Sequence, residues 1–101
     1  MRPRKFRALV DIDPAADQEW NVHSTAHQLV VRAGRQDAER AFNASVAADD
    51  QEPLRAGDTD RMVTITVADD DAIEILTPGE QFELWGRHRL GHGVVSRRVV
   101  V

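Results

Sequence analysis

Apolar residues recur in this chain at every second position, over short stretches closed by turn formers. That period permits strands and little else. From Lys5 to Ile12, Phe6, Ala8, Val10 and Ile12 fall on one side of an extended chain, because successive side chains of a strand point to opposite faces. Asp13-Pro14 ends the run, since proline restrains its predecessor and has no N–H for a ladder. Leu29, Val30 and Val31 mark a second strand from Gln28 to Ala33, stopped by Gly34. Phe42, Ala44 and Val46 mark a third, preceded by at most one turn of helix at Asp37–Ala41, a segment too short to be helical alone. From Met62 to Ala68, Val63, Ile65 and Val67 face one way and Thr64 and Thr66 the other, the β-branched composition that a half-buried pleated surface favours.

The remaining segments are punctuation and closure. Ala15 to Ala26 is polar and irregular and reads as a long loop, and Asp49 to Asp60 is rich in turn formers, with Pro53 and Gly57-Asp58. Asp69-Asp70-Asp71 breaks the fourth strand, and Ile73, Ile75 and Leu76 are expected to run as an extended, buried connection to the Pro78-Gly79 turn. Phe82 and Leu84 mark a fifth strand. A glycine turn follows, and Gly91-His92-Gly93 leads into a sixth strand from Val94 to Val101. Six short strands without an amphipathic helix predict one all-β domain over residues 1–101, a small six-stranded antiparallel β-barrel that leaves few edges exposed.

Composition narrows the functional classes. A chain of 101 residues suits a single domain with a modest core. It contains no apolar run long enough to span a bilayer, and its start lacks a signal-type apolar stretch. Without cysteine there is no disulfide framework, thiolate metal site or cysteine nucleophile. A cytoplasmic protein without a membrane partner is the expectation. The net charge of −4 argues against a general nucleic-acid binder.

The charges are unevenly spread. Arg2, Arg4, Lys5 and Arg7 stand at the start and Arg87, Arg89, Arg97 and Arg98 near the end, with the acids gathered between. If the first and last strands are neighbours, the two basic clusters merge into one patch. Trp85, between a strand end and Gly86, is the main aromatic candidate for stacking on a partner, and Trp20 is the second.

Arrangements that would support catalysis or metal binding are thin. His23 and His27, like His88 and His92, are four apart, a helical metal spacing that in extended chain separates the side chains by roughly 13 Å. Ser24 beside His23 and His27, with Asp17 upstream, has the residue types for hydrolysis but no nucleophile-elbow context. The acidic triplet reads as a solvated turn. No catalytic, cofactor-binding or metal residues are assigned, and a His-dependent metal or hydrolytic protein is the remote alternative.

The order Leu54-Arg55-Ala56-Gly57-Asp58, Met62-Val63-Thr64-Ile65-Thr66-Val67, Glu83-Leu84-Trp85-Gly86 and Leu90-Gly91-His92-Gly93-Val94-Val95 resembles the C-terminal β-barrel, the third domain, of bacterial elongation factor Tu. Phe6-Arg7-Ala8-Leu9-Val10 looks like the start of that domain, and Pro14 to Asp50 is the least similar part. The resemblance implies a closed barrel and a link to translation. It does not carry over the GTPase activity, because no Gly-x-x-x-x-Gly-Lys-[Ser/Thr] loop is present and no GTP is expected. The family's Gly-Tyr-Arg-Pro-Gln-Phe segment has no counterpart, and Gln28-Leu29-Val30-Val31-Arg32 lies near its place. Its Glu-Gly pair at the tRNA corresponds to Trp85-Gly86, and the proline of its Pro-Gly-Asp turn to Ala56.

The combined expectation is a non-enzymatic interaction module with a protein partner, structured RNA being the alternative. The expected contact residues are Trp85, Gly86, Arg87, His88 and Arg89 on one rim, with Arg97, Arg4 and Arg7 in the basic patch.

Overall fold

The structure, a computed structural model, describes residues 4–14, 26–34, 40–69 and 71–99, with the side chains of residues 26–28, 73, 98 and 99 outside that description. Its strands are β1 (Arg4–Ile12), β2 (Ala26–Ala33), β3 (Arg40–Ala48), β4 (Arg61–Val67), β5 (Gln81–Trp85) and β6 (Arg89–Val99), with one short helix, α1 (Ala72–Ile75), between β4 and β5. They form a closed barrel in the order β1-β4-β3-β2-β5-β6, and every neighbouring pair is antiparallel. The expected all-β, six-stranded antiparallel barrel is therefore the architecture observed.

The alternation in the sequence becomes the wall of the barrel. Phe6, Ala8, Val10 and Ile12 of β1 are buried, as are Phe42, Ala44 and Val46 of β3, Val63, Ile65 and Val67 of β4, and Phe82 and Leu84 of β5. Leu54 and Leu76, from connecting segments, complete the same core. Burying large side chains is the main stabilising term, and truncating one such phenylalanine to alanine costs about 3–5 kcal/mol.

Three local expectations are corrected. The segment expected as an extended connection through Ile75 winds into α1 instead. Asp69 starts the winding: its carboxylate accepts the Asp71 N–H at 2.9 Å and its carbonyl the Ala72 N–H at 3.2 Å. The single turn then buries Ala72 and Leu76 together in the core while leaving Glu74 exposed, whereas an extended chain would put Glu74 on the same face as both. Of the helical turn expected at Asp37–Ala41, Arg40 and Ala41 belong to β3, where the ladder to β2 takes up their backbone groups. Asp37 to Glu39 lie outside the described residues, as do Trp20 and Asp17, His23 and Ser24, most of the long loop. Finally, β6 begins at Arg89, not Val94, so Gly91 and Gly93 lie inside a strand.

That last correction explains how the barrel closes. Ile12 pairs with Gly91 and Val10 with Gly93, where β1 meets β6. A methyl group on Gly91 would overlap the Asp11 carbonyl oxygen. One on Gly93 would sit 2.6 Å from the Leu9 carbonyl oxygen and 2.7 Å from Cζ of Phe82. The space a side chain would take at Gly93 is thus filled by the Phe82 ring and by β1 itself, the alternation of small and large that a narrow barrel interior demands.

Gly91→Ala should therefore lower stability by about 3 kcal/mol or more, as overpacking against backbone that cannot move away. Gly79→Ala, at a turn with φ of 89° and open space around it, should cost only the about 1–2 kcal/mol of a left-handed alanine. Urea denaturation of the two variants beside the parent chain checks both.

Candidate interaction surface

The β5–β6 hairpin builds the candidate site. Gly86, Arg87 and His88 make its turn, closed by the Gly86 N–H donating to the His88 carbonyl at 3.0 Å. A shift in register between Leu84 and Trp85 pairs Trp85 with Arg89. Strand alternation turns Glu83 and Trp85 to the outer face, beside Arg32 of β2 and His92 of β6, while Phe82 and Leu84 point inward.

The outer side chains form a connected chain of contacts. The Arg32 guanidinium lies 4.9 Å from the centroid of the Trp85 ring, and the indole N–H donates to Glu83 Oε1 at 3.1 Å. Arg89 Nη1 is 3.6 Å from Glu83 Oε2, and its Nη2 is 3.5 Å from His92 Nδ1. His92 Nε2 is 3.3 Å from Asp11 Oδ2, and Asp11 Oδ1 accepts the Asp60 N–H at 2.8 Å. Of these groups all but Trp85 line a groove of about 690 Å³, whose apolar lining includes Leu9, Val94, Ala33 and Phe82. Leu9, 36% exposed, is the one exposed large hydrophobic among the described residues.

Asp60 is delivered to this groove by the connection from Asp49 to Asp60, and Arg61 organises that connection. Its guanidinium donates to the carbonyls of Pro53 at 3.2 Å and Glu52 at 3.0 Å, to Asp50 Oδ1 at 3.1 Å, and to the Asp58 carboxylate. One planar fork thus gathers four acceptors, which a lysine cannot do. The loop is also stitched to β1, Ile12 N–H to the Asp58 carbonyl at 2.8 Å and Gly57 N–H to the Ile12 carbonyl at 3.0 Å. Asp60 is held with φ of 54°, a conformation aspartate tolerates better than most residues. The Glu52 N–H above all, and then Arg61, hold the Asp50 carboxyl below the usual carboxylate range, against an opposing effect of burial.

The expected contact residues divide into two groups. Trp85 and Arg89 belong to the groove network, with Gly86, Arg87 and His88 exposed in the adjoining turn. Arg7 and Arg97 face each other across β1 and β6, with Arg4 at the start of β1. The first and last strands are neighbours as expected, but Arg89 and Arg97 are eight residues apart on one strand, roughly 26 Å. The basic residues therefore do not merge into a single patch. Arg7 also pairs with Asp49, at 3.4 Å. The N–H of Trp85 is taken by Glu83 instead of water, and one side of its ring by Arg32.

Of the four histidines, only His88 and His92 have side chains among the described residues. His92 lies within β6 and His88 in the turn before it, His23 is outside the described residues, and nothing is described of the His27 side chain. No group of three or more His, Asp or Glu is placed to hold a metal ion among the described residues. Asp69 and Asp71 of the acidic triplet instead face Arg40, at 3.9 and 3.2 Å. Sequence reasoning missed Asp11, Arg32, Asp60 and Glu83. Asp11, Arg32 and Asp60 are outer positions or loop ends whose partners lie distant in sequence, and Glu83 is an outer position whose partners Trp85 and Arg89 lie in its own hairpin.

Neither the protein-family models nor the curated proteins compared with this chain give a match.

Arg61→Ala should cost about 2–3 kcal/mol, the worth of hydrogen bonds to a charged donor, and raise amide exchange across residues 50–60, with Arg61→Lys only partly restoring both. Because folding lowers the Asp50 pKa, its contribution exists above the ordinary carboxylate value and is lost as pH falls through the lowered one. Asp50→Asn should flatten that acid-side part of the stability profile, measured by denaturation across the carboxylate range.

Proposed function

We propose that this chain is a non-enzymatic interaction module, similar to the third domain of elongation factor Tu without its GTPase, and that its β5–β6–β1 face binds a protein. The observation that carries this is the groove itself. It sets apolar Leu9 and Val94 beside a rim of charged groups held in place by one another, Arg89 among them, with Trp85 adjoining the rim through Glu83. An apolar centre within a polar rim, with tryptophan and arginine anchors, is the anatomy of protein interfaces.

Structured RNA is the second candidate ligand, favoured by Arg7 standing opposite Arg97. The groove counts against it: Asp11, Asp60 and Glu83 meet Arg32 and Arg89 there, so a phosphate backbone would gain little net attraction.

A pull-down with the tagged chain from its native host, read by mass spectrometry and RNA sequencing together, tests the assignment. Trp85→Ala and Arg89→Ala should each weaken capture of a protein at least tenfold while leaving the denaturation midpoint nearly unchanged. Salt-dependent RNA binding at micromolar protein, with no protein captured, would replace the protein reading by the RNA one.

A further inference from the structure

The charges that the barrel leaves unneutralised are sorted along one outer face. Among the described residues, Lys5, Arg97 and the Asp60 carboxylate stand in no ion pair, and all three are exposed. Lys5 and Arg97 lie at one end of the β4–β1–β6 face, where Arg97 is directly opposite Arg7. Like charges so placed destabilise a sheet, and Asp49, 3.4 Å from Arg7, offsets only one of the three cations. Asp60 lies at the other end beside Asp11, which accepts its N–H at 2.8 Å, with the His92 imidazole against Asp11. Between the two ends stands Leu9, the exposed large hydrophobic, with Met62 of β4 and Val94 of β6 beside it. Excess cations, an apolar centre and excess carboxylates thus follow one another along β1.

The registers also limit the form of a partner that can use this order. β1 is hydrogen-bonded to β4 on one side and to β6 on the other, so it offers no edge to which an extended segment could add a strand. A partner lying over β1 must bring a backbone already satisfied, as a helix does. Arg7 and Asp11, four residues apart on a strand, are separated by roughly 13 Å. Residues i and i+7 on one face of a helix are about 10.5 Å apart, with i+4 between them, and the flexible stems of Glu and Lys span the difference.

We infer, resting on the reading of this face as a protein-binding surface, that its occupant is a partner helix with an acidic, a large apolar and a basic side chain at i, i+4 and i+7. The acid meets Arg7, Arg97 and Lys5. The apolar side chain covers Leu9 between Met62 and Val94, and the base meets Asp11 and Asp60. One apolar contact between exposed ion pairs makes a weak, readily exchanged interaction.

Chemical-shift titration of the full chain tests this occupant. The probe is an alanine-based helical peptide of about four turns with Glu, Leu and Lys at i, i+4 and i+7. Its control has the same composition with the three residues dispersed around the helix. The probe should shift the amides of Leu9, Met62 and Val94 saturably, more at low salt, and bind about tenfold more tightly than the control. Leu9→Ser should lower that affinity about tenfold. The double variant Lys5→Glu with Arg97→Glu should reverse the preference, so that a peptide with Lys in place of Glu binds better. Asp60→Asn, which suits the same left-handed backbone, should weaken the probe about threefold and leave a peptide with Gln in place of Lys unaffected.

No binding up to about 1 mM probe, a control that binds equally well, or a preference for Glu that survives the charge reversal overturns the helix as occupant. If the chain then still captures a protein in a Trp85-dependent way, the interaction module stands and only its partner's chemistry is revised. Capture of RNA alone, with no binding of the probe, overturns both.

Discussion

The close approach of β1 to β6 is the constraint on which the rest depends. A sheet of six strands closes only if its first and last members come within hydrogen-bonding distance while their inner faces still leave room for a core. Gly91 and Gly93 meet both demands, since side chains there would collide with the backbone of β1 and with the Phe82 ring. Closure then fixes the outer face as well. Once Ile12 is opposite Gly91, Asp11 must be opposite His92 and Leu9 opposite Val94. The steric requirement inside the barrel dictates the chemistry outside it.

Magnitudes separate what holds the molecule together from what gives it a surface. Each half-exposed ion pair of the groove contributes on the order of 0–1 kcal/mol, little beside the loss on truncating one core phenylalanine. The sequence of contacts from Arg32 through Trp85, Glu83, Arg89 and His92 to Asp11 is therefore better understood as an orienting device. It limits the rotamers of long side chains before a partner arrives, reducing the entropy that binding would otherwise have to overcome. Arg61 does comparable work in the connection below the groove, fixing the loop end from which Asp60 projects.

The strands were legible because their signal is local. The inward residues Phe6 to Ile12 and Val63 to Val67 are specified by period alone, and their burial follows from it. What depended on competition between local and distant forces was harder to see. The β-branched segment around Ile75 has no helical signal, yet the turn set by Asp69 and the burial of Ala72 and Leu76 make it helical. Gly91 and Gly93 were expected to lead into the last strand, whereas the structure places them inside it, in close packing against β1. The candidate site was half visible. Trp85 and Arg89 stood out by residue type, but Arg32, Asp11 and Asp60 acquire their meaning from pairing between segments up to some eighty positions apart, a register that period alone cannot give.

A barrel that closes through its last strand also has a particular history during synthesis. Until Arg89–Val99 has left the ribosome, the strand that flanks β1 on one side and β5 on the other is missing, and the growing sheet carries two unpaired edges. Such edges recruit other chains, and long-range pairings of this kind form slowly. The nascent barrel is thus open to faulty association until β6 has emerged to close it.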